Sequence, residues 1–265
     1  MTIAKWTESL TEPSRTPFVN MVPGSFYRQI LPAQSVHLGF SFTCLQHLEK
    51  TPQTLDENMQ PLPNAHELFQ AQSHSDFCTF LRHREKEILP GGCLVLCFPI
   101  VGSAKRENLA APVNAVRTAM IEMINEGLIR MEVACAFQKP AHDRSMEEVH
   151  RSLDAKSDGW IVWDLFEDSV VHPAIEELRR DQEVNGPSEE ASARYADALI
   201  DWVVAVVAGA FFKAIKVGEP GCTDERADEL FAEWVRRAKR ACLRDHRDQE
   251  AFLSFVYIWL QRSSE

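Results

Sequence analysis

The sequence predicts an α/β fold in which a largely parallel sheet is combined with a helix-rich cap. Three observations support this prediction. Apolar runs of strand length alternate with helical segments along most of the chain. One run, residues 93–101, is apolar on both faces, which is typical of a strand buried inside a parallel sheet. The stretch 141–245 is rich in helical patterns, so we expect it to form the cap.

The first half of the chain supplies the start of the predicted sheet. Near-alternating apolar residues at 35–45 predict a short buried strand. A helical period over residues 65–89 predicts a helix, which ends at a Pro-Gly-Gly turn. The strand at 93–101 follows this turn, and residues 109–128 are expected to form a second helix.

The second half contains weaker strands and stronger helices. A capping box, Ser145-Met-Glu-Glu148, predicts a helix start because the serine hydroxyl and the glutamate carboxylate satisfy free backbone amides. The other predicted elements are strands at 130–137, 160–166 and 251–260 and helices at 189–216 and 223–244.

Composition excludes several classes of function. The 265 residues include 28 Lys+Arg and 39 Asp+Glu, and the net charge of -11 argues against a nucleic-acid partner. The longest apolar stretch, 199–212, is interrupted by Asp201 and is shorter than the roughly 20 residues of a membrane span. The N-terminus lacks the apolar core of a secretory signal. We therefore expect no membrane partner and a cytoplasmic location.

Cysteine and histidine spacing indicates neither disulfides nor a metal site. The seven cysteines form no CxxC pair, and we expect them to be reduced thiols. The nine histidines form no HExxH or HxxxH pair, so no zinc site is predicted.

One string near the N-terminus is the most distinctive in the chain. Val22-Pro-Gly-Ser-Phe-Tyr27, followed by Gln29-Ile-Leu-Pro32 and Ser35-Val-His-Leu38, resembles a block of the SABATH family. These are S-adenosylmethionine-dependent carboxyl and N-methyltransferases. The likeness continues in order through 77–96 and 126–149 to the final strand. The resemblance implies an incomplete doubly wound, Rossmann-like methyltransferase sheet with an α-helical cap, S-adenosylmethionine as cofactor and a small-molecule substrate.

The resemblance also implies how the chain is divided. We expect an irregular arm at 1–21, a methyltransferase α/β core from 22–140 and 246–265, and a mostly helical cap at 141–245. The family's N-terminal portion, which carries a Gly-rich cofactor loop, is not matched, and the eleven glycines form no GxGxG or GxGxxG. Loss of those strands should expose an apolar edge on the strand at 93–100. We expect a second copy to cover it, which predicts a homodimer.

Site residues follow from the resemblance, position by position. Ser25 and Phe26 stand where the family contacts the adenosine of the cofactor, through a hydroxyl and a stacked ring. Thr43, Gln46 and His47 stand at positions of the substrate pocket. Each is smaller or more polar than the family's aromatic residues, which predicts a less aromatic acceptor.

Two further residues complete the predicted site. His47 could serve as the catalytic base if the acceptor is a hydroxyl or an amine, whereas a carboxylate acceptor needs no base. Trp160 is expected at the edge of the substrate pocket. A packing role is the alternative for Phe26 and Trp160, and a place on the polar face of a helix is the alternative for His47.

The family links a bound magnesium to a segment that reads differently here. Cys135 and Gln138 replace its carboxylate and its shorter amide, and magnesium favours hard oxygen ligands, so no metal is predicted.

The predicted function is an S-adenosylmethionine-dependent methyltransferase acting on a small-molecule carboxylate, or on a hydroxyl or amine, in specialised metabolism. The alternatives are a shortened relative without methyl transfer that binds a small molecule or catalyses a cofactor-independent step, and a non-catalytic interaction protein.

Overall fold

Five strands form a mixed β-sheet in a computed structural model that describes residues 19–60, 62–247, 249 and 251–264. The strands are β1 (Val36–Phe42), β2 (Ile88–Val101), β3 (Arg144–Ser145), β4 (Trp160–Val171) and β5 (Phe252–Arg262). Their order is β1-β2-β5-β4, and the short β3 pairs with the end of β2. β1 runs parallel to β2, whereas β5 is antiparallel to both β2 and β4. The sheet is therefore mixed rather than largely parallel.

The central position of β2 corrects one expectation. The apolar edge predicted on residues 93–100 does not exist, because β2 pairs with β1 on one side and with β5 on the other. Among the described strands the edges of the sheet are β1, which pairs with β2 alone, and β4, which pairs with β5 alone.

Seven helices surround this sheet in the described part of the chain. They are α1 (Ala65–Glu87), α2 (Ala110–Asn125), α3 (Met131–Ala136), α4 (Met146–Asp154), α5 (Pro173–Asn185), α6 (Glu189–Gly218) and α7 (Asp224–Asp245). The predicted capping box is present at the start of α4, where Ser145 Oγ accepts from Glu148 N and the Glu148 carboxylate accepts from Ser145 N.

The apolar residues divide into two cores. The first lies between α1, α4 and one face of the sheet, where Phe77 packs edge-on against Phe98 with ring centroids 5.5 Å apart. The second lies among α2, α3, α6 and α7, around the fully buried Trp234, whose ring stacks on Phe211 at 4.7 Å. The cap is thus a helical layer with its own hydrophobic core.

The other face of the sheet is largely uncovered, and we call it the open face. It carries seven large apolar side chains that are 47–60% exposed: Leu38, Phe40, Phe42, Ile161, Trp163, Phe166 and Trp259. Cross-strand pairing places six of these side chains on the same side of the sheet. Trp163 lies at a bulge in β4, and its ring, 6.0 Å from that of Trp259, lies on this side too. Such a large exposed apolar surface is typical of an interaction site.

Residues 131–136 form a helix, and the predicted strand at 130–137 is wrong. The segment consists largely of good helix formers, with Glu132 in the first turn where the helix dipole favours it. Close packing against α6 decides the outcome. A Cβ at Gly218 would come within 2.4 Å of Val133 N, so only a glycine there admits the α3 backbone.

The predicted cap, 141–245, contains part of the sheet. β4 lies within this range and pairs with β5 along nearly its whole length. The strand was predicted at 160–166, but its true length of 12 residues makes it an integral strand of the sheet. The predicted arm, 1–21, lies outside the described residues except for 19–21, which are exposed and form neither helix nor strand.

Helix α6 is long and apolar enough to cross a membrane by length and composition alone. Its buried side chains, which include Leu199, Ile200 and Phe211, pack into the helical core. Packing against α3, α5 and α7 therefore accounts for the apolar residues of its buried side, while Trp202, Val206 and Val217 are partly exposed.

Candidate functional site

A cavity of about 310 Å³ lies at the carboxyl ends of the parallel strands β1 and β2, beneath helix α6. Ligands of α/β proteins bind at this end of parallel strands, where the loops that follow the strands converge. Thr43, Gln46 and His47 follow β1 directly and line the cavity together. The structure thus brings together three of the six predicted site residues.

Apolar side chains form most of the cavity wall. They come from β2, β5, α2 and α6: Pro99, Leu109, Val113, Trp202, Val203, Val206, Val207, Leu253 and Phe255. Asn108 links two strands at the cavity: its Nδ2 donates to Ile100 O at 2.8 Å, and its Oδ1 accepts from Ser254 N at 2.9 Å. The cavity therefore suits a molecule with a sizeable apolar body.

Two residues on the cavity wall have strained backbone conformations. Thr43 has φ +55° and Leu109 has φ +54°, in the left-handed region that non-glycine residues rarely adopt and β-branched residues almost never do. The amide of Thr43 donates to Cys97 O at 2.7 Å, which fixes the turn at the end of β1. Strain of this kind concentrates at binding and catalytic sites, where the surrounding structure enforces it.

Buried groups behind the cavity hold the loop that carries the site. Tyr27 Oη donates to His47 O at 2.5 Å, and Arg144, which is 1% exposed, donates to Leu45 O at 2.5 Å and to Ser73 O at 2.7 Å. Burial raises the pKa of Tyr27, so its hydroxyl keeps the proton that it donates. The loop is consequently fixed at two backbone carbonyls, those of Leu45 and His47.

A second loop completes the polar side of the cavity. Leu48 N donates to Pro140 O at 2.9 Å and His142 N donates to Gln46 O at 2.8 Å, so that this loop runs beside the first. It brings Lys139 and Asp143 to the cavity, with Lys139 Nζ 3.9 Å from Asp143 Oδ1.

The imidazole of His47 is neutral at physiological pH. Burial lowers its pKa, and the charge of Lys139 lowers it further, while Asp143 opposes the shift. A neutral imidazole can accept a proton or a hydrogen bond. Its Nε2 lies 3.4 Å from Gln46 Nε2.

Phe26 lies at a separate groove, and Ser25 precedes it in the chain without lining that groove. This groove, of about 390 Å³, runs along the open edge of β1, and Phe26, Phe40 and Phe42 line it. The ring of Phe26 packs 4.4 Å from that of Tyr27, and Ser25 Oγ accepts from Tyr27 N at 3.2 Å. The groove and the cavity flank the same turn, because Phe42 lines the groove and Thr43 lines the cavity.

Trp160 does not line the cavity. It begins β4 and is 4% exposed in the core beneath the sheet, because its side chain points to the face covered by α1 and α4. Gln138 donates to Thr54 Oγ1, and no group of three or more potential metal-ligating side chains occurs within the described ranges.

Sequence reasoning missed Lys139, Asp143 and Trp202. Lys139 and Asp143 lie on either side of Pro140, just after the 135–138 segment that the sequence analysis compared with a magnesium site. The helical period of the apolar stretch 199–212 places Trp202 one turn from Val206, which could have indicated that both face a common surface.

A larger cleft of about 830 Å³ lies elsewhere, between α5 and the start of β5. Three arginines, Arg106, Arg179 and Arg247, line it. It contains none of the predicted site residues. The smaller cavity is therefore the stronger candidate for the functional site.

Comparisons with known proteins identify close relatives. The family profile described as SAM dependent carboxyl methyltransferase matches residues 2–161. Methyltransferase FUS9 of Gibberella moniliformis is 42% identical over 264 residues, which cover 98% of this chain and 72% of that protein. O-methyltransferase acrG of Aspergillus aculeatus is 40% identical over 275 residues, with the same coverage of both proteins.

The fold has a counterpart among solved structures. A loganic acid methyltransferase with SAH superposes with a TM-score of 0.62 and 20% identity, and the match covers 98% of this chain and 71% of that one. The predicted fold class, a Rossmann-like α/β sheet with helices, is thereby confirmed.

Proposed function

Because this chain belongs to the family of S-adenosylmethionine-dependent carboxyl methyltransferases, we propose that the cavity at the ends of β1 and β2 binds its methyl acceptor, a small-molecule carboxylate. The single observation that supports this site is the convergence of Thr43, Gln46 and His47 on one cavity with an apolar wall. The wall suits the body of an organic acid, and the polar side suits its head group.

The described residues fit the adenosine portion of the family's cofactor, S-adenosylmethionine. The groove beside β1 is lined by the aromatic rings of Phe26 and Phe42, which can stack on a purine. We propose that Ser25 and Phe26 hold the adenosine there, next to the acceptor cavity. When bound, the cofactor supplies an electrophilic methyl group on a sulfonium sulfur.

The residues of this chain contribute positioning and exclusion of water. A carboxylate is already a nucleophile, so its methylation needs no base and depends on orientation and desolvation. Tyr27 and Arg144 fix the loop that carries Thr43 and His47, which keeps the acceptor head group in one place. His47, being neutral, is also proposed as the proton acceptor should the methylated group be a hydroxyl. Trp160 is proposed only to support the sheet beneath the site.

A matched pair of substitutions on α6 tests the acceptor site. Val206 lines the cavity and is 41% exposed, whereas Val217 lies on the same helix, is 47% exposed and does not line it. Val206→Asp adds a carboxylate to the cavity wall and should weaken the binding of organic acids at least tenfold, because the new carboxylate repels the carboxylate of the acid in a partly desolvated site. Val217→Asp should leave binding unchanged.

Titration calorimetry of the purified chain, first with S-adenosylmethionine and then with simple carboxylic acids, gives both measurements. Equal acid affinities in the two variants would refute the site. Absence of heat with millimolar S-adenosylmethionine would refute cofactor binding by the chain.

We also propose that the open face and the free edge of β1 are covered by a second copy of this chain. Seven half-exposed side chains of about 100 Å² each give about 700 Å², close to the ~800 Å² that one partner buries in a standard interface. The face is self-complementary in chemistry, since aromatic rings dominate it.

Sedimentation velocity tests this interface with another matched pair. Phe40 on the open face is 60% exposed, and Ile121 on α2 is 58% exposed and far from that face. The chain should sediment as a dimer at micromolar concentration, Phe40→Lys should dissociate it, and Ile121→Lys should not. A monomeric parent chain, or equal behaviour of the two variants, would exclude the proposed dimer.

A cytoplasmic location and a role in specialised metabolism complete the proposal. All seven cysteines are free thiols, which fits a reducing compartment. The net charge of -11 supports a small molecule rather than a nucleic acid as the ligand.

A further inference from the structure

Two buried oxygen atoms beside the cavity have no hydrogen-bond partner. They are Gln46 Oε1 and Asp143 Oδ1, and both residues line the cavity. Buried acceptors without a donor are costly, and native structures contain few of them. Their presence together at a ligand cavity indicates a ligand that supplies the donors.

The environment of Gln46 fixes the direction of its amide. Its Nε2 donates to Thr43 O at 2.7 Å, within the same turn that holds the strained Thr43 backbone. The amide nitrogen is thus engaged by the protein, which leaves Oε1 as the atom available to a ligand. Gln46 is therefore oriented to accept a hydrogen bond rather than to donate one.

The negative charge of Asp143 is balanced by Lys139, but Asp143 Oδ1 accepts no hydrogen bond. Lys139 Nζ lies 3.9 Å from its Oδ1, close enough for electrostatic attraction and too far for a hydrogen bond. The pair as a whole carries no net charge, so it does not repel an organic anion. It still presents one carboxylate oxygen that requires a donor.

We propose that the methyl acceptor carries a hydrogen-bond donor, a hydroxyl or an N–H group, in addition to its carboxylate, and that Gln46 and Asp143 bind this donor. This inference rests on the proposed function, because it assigns chemistry to the same acceptor cavity. Together with the apolar wall, it defines the substrate class as a hydroxylated or N–H-bearing organic acid with an apolar body.

Three acids of nearly equal shape test the proposal. They are 3-phenylpropanoate, 2-hydroxy-3-phenylpropanoate and 2-methoxy-3-phenylpropanoate, of which only the second carries a hydrogen-bond donor beside its carboxylate. The hydroxylated acid should bind the purified chain at least tenfold more tightly than the other two. Sites built to hydrogen-bond a hydroxyl reject analogues that lack it, because their own polar groups are then left unpaired.

Substitutions of Gln46 and Asp143 test whether these residues cause the tighter binding of the hydroxylated acid. Asp143→Ala and Gln46→Ala should each reduce the hydroxyl preference, the ratio of the affinities for the hydroxylated acid and 3-phenylpropanoate, at least fivefold; this ratio cancels any effect of the variant that is common to both acids. Asp154→Ala, at the exposed end of α4, is the matched control and should keep the full preference. Circular dichroism melting curves establish that each variant is folded.

The outcomes separate this inference from the proposed acceptor site. Equal binding of the three acids, with binding still abolished in Val206→Asp, would overturn the inference and leave the acceptor site in place, since water would then satisfy the two oxygens. A hydroxyl preference that survives in both Asp143→Ala and Gln46→Ala would also overturn it. Failure of all three acids to bind would overturn both.

Discussion

The contact between α3 and α6 gives the sharpest test of how this structure is built. Gly218 ends α6, and a Cβ added to it would lie 2.4 Å from Val133 N and 2.7 Å from Val133 Cα. Real Cβ atoms do not approach a backbone so closely, so α3 and α6 would have to separate by about 1 Å. Overpacking of this kind costs about 1–3 kcal/mol of unfolding free energy.

Gly209 on the same helix provides the control. A Cβ there would meet nothing within 4 Å. Gly209→Ala should therefore stabilise the chain by about 0.5–1 kcal/mol through helix propensity alone. Gly218→Ala brings the same gain in helix propensity, but its added Cβ also clashes with the backbone of Val133. The propensity gain cancels, so the difference in unfolding free energy between the two variants should be the cost of the clash, about 1–3 kcal/mol.

Urea unfolding at 25 °C, followed by circular dichroism, measures this difference through the transition midpoints at unchanged slope. If Gly218→Ala were as stable as Gly209→Ala, the close approach of α3 to α6 would be wrong. The explanation of why residues 131–136 form a helix would fail with it.

Three further substitutions test the site and its support. The folded-state pKa of His47 lies below its ordinary value of 6.5, mainly because of burial, so the stability it contributes is present above pH 6.5 and is lost as the pH falls through the folded pKa. His47→Gln should therefore lose less unfolding free energy between pH 7 and pH 5 than the parent chain. An identical pH profile of the two proteins would contradict this. Tyr27→Phe removes the hydrogen bond to His47 O and should lower the unfolding free energy by about 1 kcal/mol, as measured in urea; no change would mean that the loop is held by other contacts. Ser145→Ala removes the capping box of α4 and should cost about 1 kcal/mol, whereas Ser157→Ala in the turn after α4 should cost close to nothing in the same assay.

Local patterns in the sequence predict much of the fold. The capping box of α4 depends on neighbouring residues and is present where expected. The strand predicted at 35–45 is β1, although none of its residues is buried. The Pro-Gly-Gly segment is not a turn after the helix, because α1 ends at Glu87 and residues 90–92 lie inside β2. The resemblance around residues 22–38 and 77–96 adds the family and the cofactor. Both kinds of information are contained in short stretches of chain.

Long-range contacts decide what the sequence could not. α3 is a helix because Gly218, 85 residues after Val133, admits its backbone, and no local pattern records that contact. Likewise β2 is central rather than at the edge because β5 returns antiparallel beside it.

For the functional site, the family resemblance in the sequence by itself predicted Thr43, Gln46 and His47 together as residues of the substrate pocket. Only the tertiary structure brought Lys139, Asp143 and Trp202 to the same cavity and left Trp160 in the core. The physical reason is that a cavity forms where distant segments pack, so its composition depends on the packing of α6 and of the 139–143 loop against the end of the sheet.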